Sequence, residues 1–296
     1  MKSNNNKAMF YDMVKESLMK QKPEEMEITF RTVMKQNRKK LHGCILQLPG
    51  SAAAPTFYLE DLYPAFMNGT SADDIAESLI HYAQNNNLQA LPGDIDLDDY
   101  ECVKKNLGLC VLGIERNKEY LKDMIYETFE DLAVVPMIFT NDKYGPGHIK
   151  VRRDFLELWE NVTEEDVLRE AKENSPNLLP VTFRQLGDNL AEQEPGVGTE
   201  LFVVSNAFFA GGAAVMFYPR VLECISMAIG RNLFVLPSST NEVIVITDTG
   251  QDPMDLLRIV KEVNRTHVAQ EEILSDSVYY YSRSNDRLSK VAPVLV

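Results

Sequence analysis

Cysteine is sparse in this chain of 296 residues, and Cys44, Cys102, Cys110 and Cys224 stand far apart with no CxxC pair. That spacing excludes zinc-ribbon and thioredoxin-like arrangements and offers no disulfide framework. The thiols are expected to be reduced and mostly buried, Cys224 included, because Leu222, Ile225 and Ile229 are its neighbours. Histidine is equally sparse: His42, His81, His148 and His267 are scattered, none within helical reach of another. Neither a metal nor a cofactor is expected from such a donor set. The phosphate-cradling GxxxxGKS/T loop is missing, as are the GxSxG elbow and the HExxH pair. The GVG at Gly196 lies in a loop without the strand-to-helix setting of a dinucleotide fingerprint.

One run without formal charge, Leu201 to Pro219, is nearly long enough to cross a bilayer as a helix. Ser205, Asn206, Gly211 and Gly212 punctuate it, so it reads as two short buried strands joined by a turn rather than as a membrane span. The N-terminal MKSNNNKAMFYDMVKESLMK has charges that break any apolar secretory core, and the chain is expected in the cytoplasm. The glycosylation patterns at Asn68, Asn161 and Asn264 are then without consequence.

Positive charge is short beyond the first fifty residues. Those fifty carry 10 Lys+Arg against 5 Asp+Glu, whereas the remainder carries 20 against 39, within a net charge of −14. An acidic body repels phosphate backbones, so nucleic acid is an unfavoured partner and a protein partner is favoured, with no membrane. The basic cluster Arg31, Lys35, Arg38, Lys39 and Lys40 falls where two strands meet and reads as a solvated hairpin turn.

What is present indicates an α+β fold, with mixed or antiparallel sheets and helices packed on them. Residues 7–20 carry Met9, Phe10, Met13, Val14 and Leu18 on one helical side. Strands are expected over Glu27 to Met34 and Lys40 to Leu48, then a helix from Thr70 or Ser71. A strand follows near Leu107 to Ile114, and a β-prone stretch from Phe129 to Phe139. The turn-rich NDKYGPG, Asn141 to Gly147, is the candidate boundary between α+β regions 1–146 and 147–296. Thr163 is the expected N-cap of a helix, with Asp166 three residues on and Val162 facing Val167 as a hydrophobic staple, and Pro176 is expected to end that helix by Ser175. The C-terminal half reads as ββαββα. LFVVSN pairs with AAVMFY before a helix opened by Pro219, and LFVLPSS pairs with VIVIT before a helix opened by Asp252 and Pro253.

Two segments could carry a binding site. The loop Pro237 to Glu242 joins two apolar strands and presents Ser238, Ser239, Asn241 and Glu242 together. Downstream, SDSVYYYSR places Asp276, Tyr279 and Tyr280 on a tyrosine-rich strand, and tyrosine supplies a large amphipathic contact. An ordinary hairpin loop and a half-buried edge strand would look the same. His267 follows the last helix, where capping explains it.

The stretches VTEEDVLREAKENSPNLLP, AAVMFYPRVLECI, LFVLPSSTNEVIVI and SDSVYYYSR resemble an uncharacterised domain-of-unknown-function family from gut-dwelling Gram-positive anaerobes. The middle portion is distantly similar to a second uncharacterised bacterial family. The resemblance implies a bacterial, cytosolic protein and brings no catalytic residue.

Two functions compete: a non-catalytic binding or adaptor protein, and a hydrolase or transferase whose site is assembled from dispersed residues such as Ser239, Glu242, His267 and Asp276. Whichever holds, neither chelator nor reductant is expected to move the thermal midpoint. A fall of several degrees with either would reveal a metal or disulfide that the residue pattern does not disclose.

Overall fold

The computed structural model describes residues 2–49, 56–85, 95–142, 145–186 and 200–292. They form two compact units, Met1–Ile95 and Asp96–Val296. The fold is α+β, and every strand pairing among the described residues is antiparallel.

The first unit contains α1 (Lys2–Gln21), β1 (Glu27–Met34), β2 (Lys40–Gln47), β3 (Thr56–Tyr58), α2 (Leu59–Met67) and α3 (Ala72–Asn85), with strand order β1-β2-β3. Phe10, Val14 and Leu18 recur every four residues and bury the inner face of α1 against Ile75, Leu79 and Ile80 of α3. Met9 and Met13, expected on that face, are instead 55% and 40% exposed, because 3.6 residues per turn carries them round the helix. Lys35, Arg38, Lys39 and Lys40 of the basic cluster lie at the β1–β2 connection, as expected, whereas Arg31 is paired within β1 opposite Gly43. Ser71 starts α3 with a reciprocal bond to Asp74, its Oγ accepting from the Asp74 amide at 3.1 Å.

The second unit contains α4 (Tyr100–Val103), β4 (Leu107–Gly113), α5 (Ile114–Leu121), β5 (Glu127–Phe129), β6 (Leu132–Asp142), β7 (Gly145–Lys150) and α6 (Glu164–Leu178). It continues with β8 (Val181–Leu186), β9 (Leu201–Asn206), α7 (Val221–Ile229), β10 (Leu233–Leu236), β11 (Glu242–Thr247), α8 (Pro253–Thr266), β12 (Tyr279–Ser282) and β13 (Arg287–Lys290). β6 pairs with β4 along one side and with β5 and β7 along the other. The second sheet has order β13-β12-β10-β11-β9-β8. Of the turn-rich segment, Asn141 and Asp142 pair with Pro146 and Gly145 across β6 and β7, inside this unit, whereas the units divide at Ile95. Turn residues mark a hairpin as readily as a linker.

The expected AAVMFY strand is a tight 3-10 turn, Gly212–Phe217, buried over Gly212 to Met216. Gly211 adopts φ +62°, and a Cβ on Gly212 would lie 2.1 Å from the Asn241 carbonyl oxygen. The glycine pair thus turns the chain closely beneath β11, where a strand would not fit. β9 pairs instead with β8 and β11. Pro176 lies inside α6, which continues for two further residues. Ser175 locks that last turn, its buried Oγ accepting from the Leu109 amide at 2.9 Å and donating to the Ala171 carbonyl.

At the other end of α6, Thr163 Oγ1 accepts from the Asp166 amide at 3.2 Å, and the Asp166 carboxylate accepts from the Thr163 amide at 3.1 Å. Thr163→Ala is expected to cost roughly 1 kcal/mol, the usual worth of an N-cap, while Thr163→Ser restores most of it. An unchanged denaturant midpoint in Thr163→Ala would contradict this capping role.

Candidate binding groove

β12 pairs with β10 through Val235 and Tyr279, and the Thr240 amide donates to the Glu272 carbonyl at 2.8 Å. The polar loop and the approach to the tyrosine strand therefore lie at one end of the six-stranded sheet. Their polar groups are turned to holding that end together. Ser238 Oγ donates to Glu242 at 3.3 Å, Ser239 Oγ accepts from the Asn241 amide at 3.0 Å, and Asn241 Oδ1 accepts from the Gly211 amide at 3.3 Å. Asp276 accepts from Asn264 at 2.8 Å and from Arg116 at 3.2 Å. Tyr280 donates to Asp248 at 2.7 Å.

Tyr279 is fully buried and donates to Asp131 at 2.9 Å. The same carboxylate accepts from Ser275 at 2.6 Å and Ser277 at 3.0 Å and pairs with Lys290 at 3.2 Å. Burial alone would push the Asp131 carboxyl up. The bonds from Ser275, Tyr279 and Ser277 outweigh burial and hold it below the ordinary 3.8. Burial chiefly, then the Asp131 charge, raises the Tyr279 phenol well above its usual value.

Of the dispersed residues of the enzyme reading, Ser239 and Glu242 meet only through their backbones, the Ser239 amide donating to the Glu242 carbonyl at 3.2 Å. His267 caps the C-terminus of α8, as expected, with its Nδ1 against Thr266 Oγ1. Among the described residues, no side-chain bond joins any two of Ser239, Glu242, His267 and Asp276. No group of three His, Cys, Asp or Glu positioned to hold a metal occurs among them either, and none of their helices is long and apolar enough to cross a membrane.

The open feature lies along β8. All six of its residues are exposed, with Phe183 at 49%, although one flank pairs fully with β9. Val181 and Phe183 point to one face, Phe183 stacking on Phe202 at 4.5 Å between ring centroids. On that face α7 stands off from β8 and leaves a groove of about 660 Å³. Val221, Cys224, Ile225 and Ala228 form its helical wall. Leu222 and Ser226 anchor α7 on its opposite side, so Cys224 is exposed to the groove rather than buried. Helical rotation decides this, since an apolar residue count does not say which side of α7 is covered.

Two charges border the groove. Arg220 is paired with Glu223 at 3.0 Å. Glu200 is fixed by its backbone, whose amide and carbonyl bond the Thr247 hydroxyl and amide at 2.9 and 3.0 Å. Its carboxylate has no side-chain partner among the described residues. The strand itself could have been found from VTF after Pro180, which is β-prone and alternating. That it stands uncovered could not.

The chain belongs to a family of unknown function, DUF5688, whose model matches residues 7–283. No curated protein and no solved structure matches it. Membership agrees with the sequence resemblance and assigns no activity.

Removing the Asp131 carboxylate strands three hydroxyls, so Asp131→Ala is expected to cost about 2–3 kcal/mol. Because its folded pKa is depressed, its contribution is present above the unfolded value near 3.8 and is lost as pH falls through the lower folded value. Denaturant midpoints of wild type and variant should therefore converge in strong acid; a constant gap at all pH values would refute the assignment.

Proposed function

We propose that this is a non-catalytic binding protein of the bacterial cytoplasm. It takes up an extended segment of a protein partner as a seventh strand along β8. The observation supporting this is the contrast between β8 and two other sheet edges of the second unit. β4 is buried throughout, and β13 carries Arg287 and Lys290 at its two ends. β8 has one charge, Arg184, with apolar residues exposed beside a flank that has no strand partner among the described residues. Soluble proteins cover or charge such an edge unless it is used. Strand addition would satisfy the backbone groups of that flank, and the groove beneath α7 would take alternate side chains of the added segment. The groove is within the usual size of ligand sites.

The hydrolase or transferase reading has weaker support, because its candidate groups are bonded elsewhere and the groove has an apolar wall. The loop Ser238 to Glu242 and the strand around Asp276, Tyr279 and Tyr280 serve in this reading to hold the sheet end that carries β9 and thus β8.

Site-specific photo-crosslinking in the native cell tests the proposal. A photoreactive residue at Arg184 or Ala228 is expected to give discrete adducts, whereas one at Lys261, on the exposed side of α8, gives none. Adducts arising instead from Ser239 or Tyr280 would move the interface to the polar loop and tyrosine strand. Equal labelling from all positions would defeat both placements.

A further inference from the structure

We infer that the segment taken up along β8 is cationic, with a lysine or arginine beside Glu200 and apolar side chains at alternate positions facing α7. This rests on the strand-addition reading and gives its partner a chemistry. Val181, Phe183, Phe202, Val221, Ile225 and Ile229 make the groove apolar. Its two charges are not equivalent. The Arg220 guanidinium is already neutralised by Glu223, while the Glu200 carboxylate is without a side-chain partner among the described residues. The main chain of Glu200 is fixed beside the groove, because both of its backbone hydrogen-bonding groups are tied to Thr247. An arriving segment would desolvate this carboxylate, which costs free energy unless a cation comes with it.

The wider field points the same way. The second unit holds 20 Lys+Arg against 33 Asp+Glu, so it attracts a basic segment from a distance and repels an acidic one. The same field argues against a second copy of this chain on β8. Homotypic pairing would bring two acidic units together. Strand geometry sets the apolar positions: side chains alternate between faces, so residues at i and i+2 of the segment would continue the row made by Val181 and Phe183.

The test is selection of a displayed random decapeptide library against the full chain. Binding of the enriched peptides is then measured by fluorescence anisotropy, at low and high salt, on wild type, Glu200→Gln and Phe183→Asp. Val181→Asp serves as a second groove variant, and circular dichroism confirms that each variant is folded. The enriched peptides are expected to alternate apolar residues and to carry an excess of Lys or Arg. Glu200→Gln should weaken them about two- to fivefold and flatten their salt dependence, as for a partly exposed ion pair. The groove variants should abolish binding. Peptides without a basic excess, or indifferent to Glu200→Gln yet lost on Phe183→Asp, would overturn the cationic assignment and leave the groove standing. Peptides that still bind both groove variants, or no enrichment at all, would overturn groove and cation together. A Phe183-dependent dimer in sedimentation equilibrium would place a second copy on β8 and overturn the cationic partner.

Discussion

Asp131, in the turn between β5 and β6, receives hydroxyls from Ser275, Ser277 and Tyr279 and the ammonium of Lys290, and through them one sheet of the second unit is tied to the other. Buried hydroxyls must find acceptors, and an ionised carboxylate can serve several donors at once. The segment entering β12 is thereby fixed, and Asn264 of α8 bonds the Ser275 carbonyl beside it at 2.9 Å. β12 then sets β10, β10 sets β11, and β11 sets β9 and β8. The exposed edge depends on that chain of pairings.

The first unit uses the same device. Glu60, near the start of α2, accepts from the His42 amide and from Tyr11, with His42 Nδ1 at 2.7 Å. One carboxylate thus joins a helix start, a strand and α1. Burial raises the Glu60 carboxyl, but bonds from the His42 ring and amide and from Tyr11 carry it below its ordinary 4.5. Burial, with the adjacent Glu60 charge, pushes the Tyr11 phenol up to about 12. In each unit the group that closes the structure is an anion in contact with a tyrosine.

The bonded polar residues and the open apolar surface are therefore separated in the second unit. Ser239, Asn241 and Tyr279 look available in the sequence because hydroxyls and amides can recognise ligands, yet a buried sheet end needs those same groups. The open surface is made of residues that sequence would assign to a core: Val181, Phe183, Ile225 and Cys224. Apolar side chains are informative about recognition only when something leaves them uncovered.

What the sequence determined by itself was local. Thr163 and Asp166 cap α6 because a hydroxyl and a carboxylate three residues apart reach each other's amides in any context. Pro253 after Asp252 starts α8 for a similarly local reason. Alternation marked β1, apolar runs marked β10 and β11, and the scarcity of basic residues after the first fifty was plain from counting. Tertiary structure decided what depends on partners distant along the chain. Gly211 and Gly212 make a tight turn instead of a strand because Cys110 and Asn241 crowd them. Pro176 stays helical because Ser175 is gripped by Leu109. Exposure of β8 follows from sheet order and from the side on which α7 packs, and neither is encoded in any window of neighbouring residues. Spacing along a chain reports which groups can meet locally; which surface remains open is settled only when all the others have been covered.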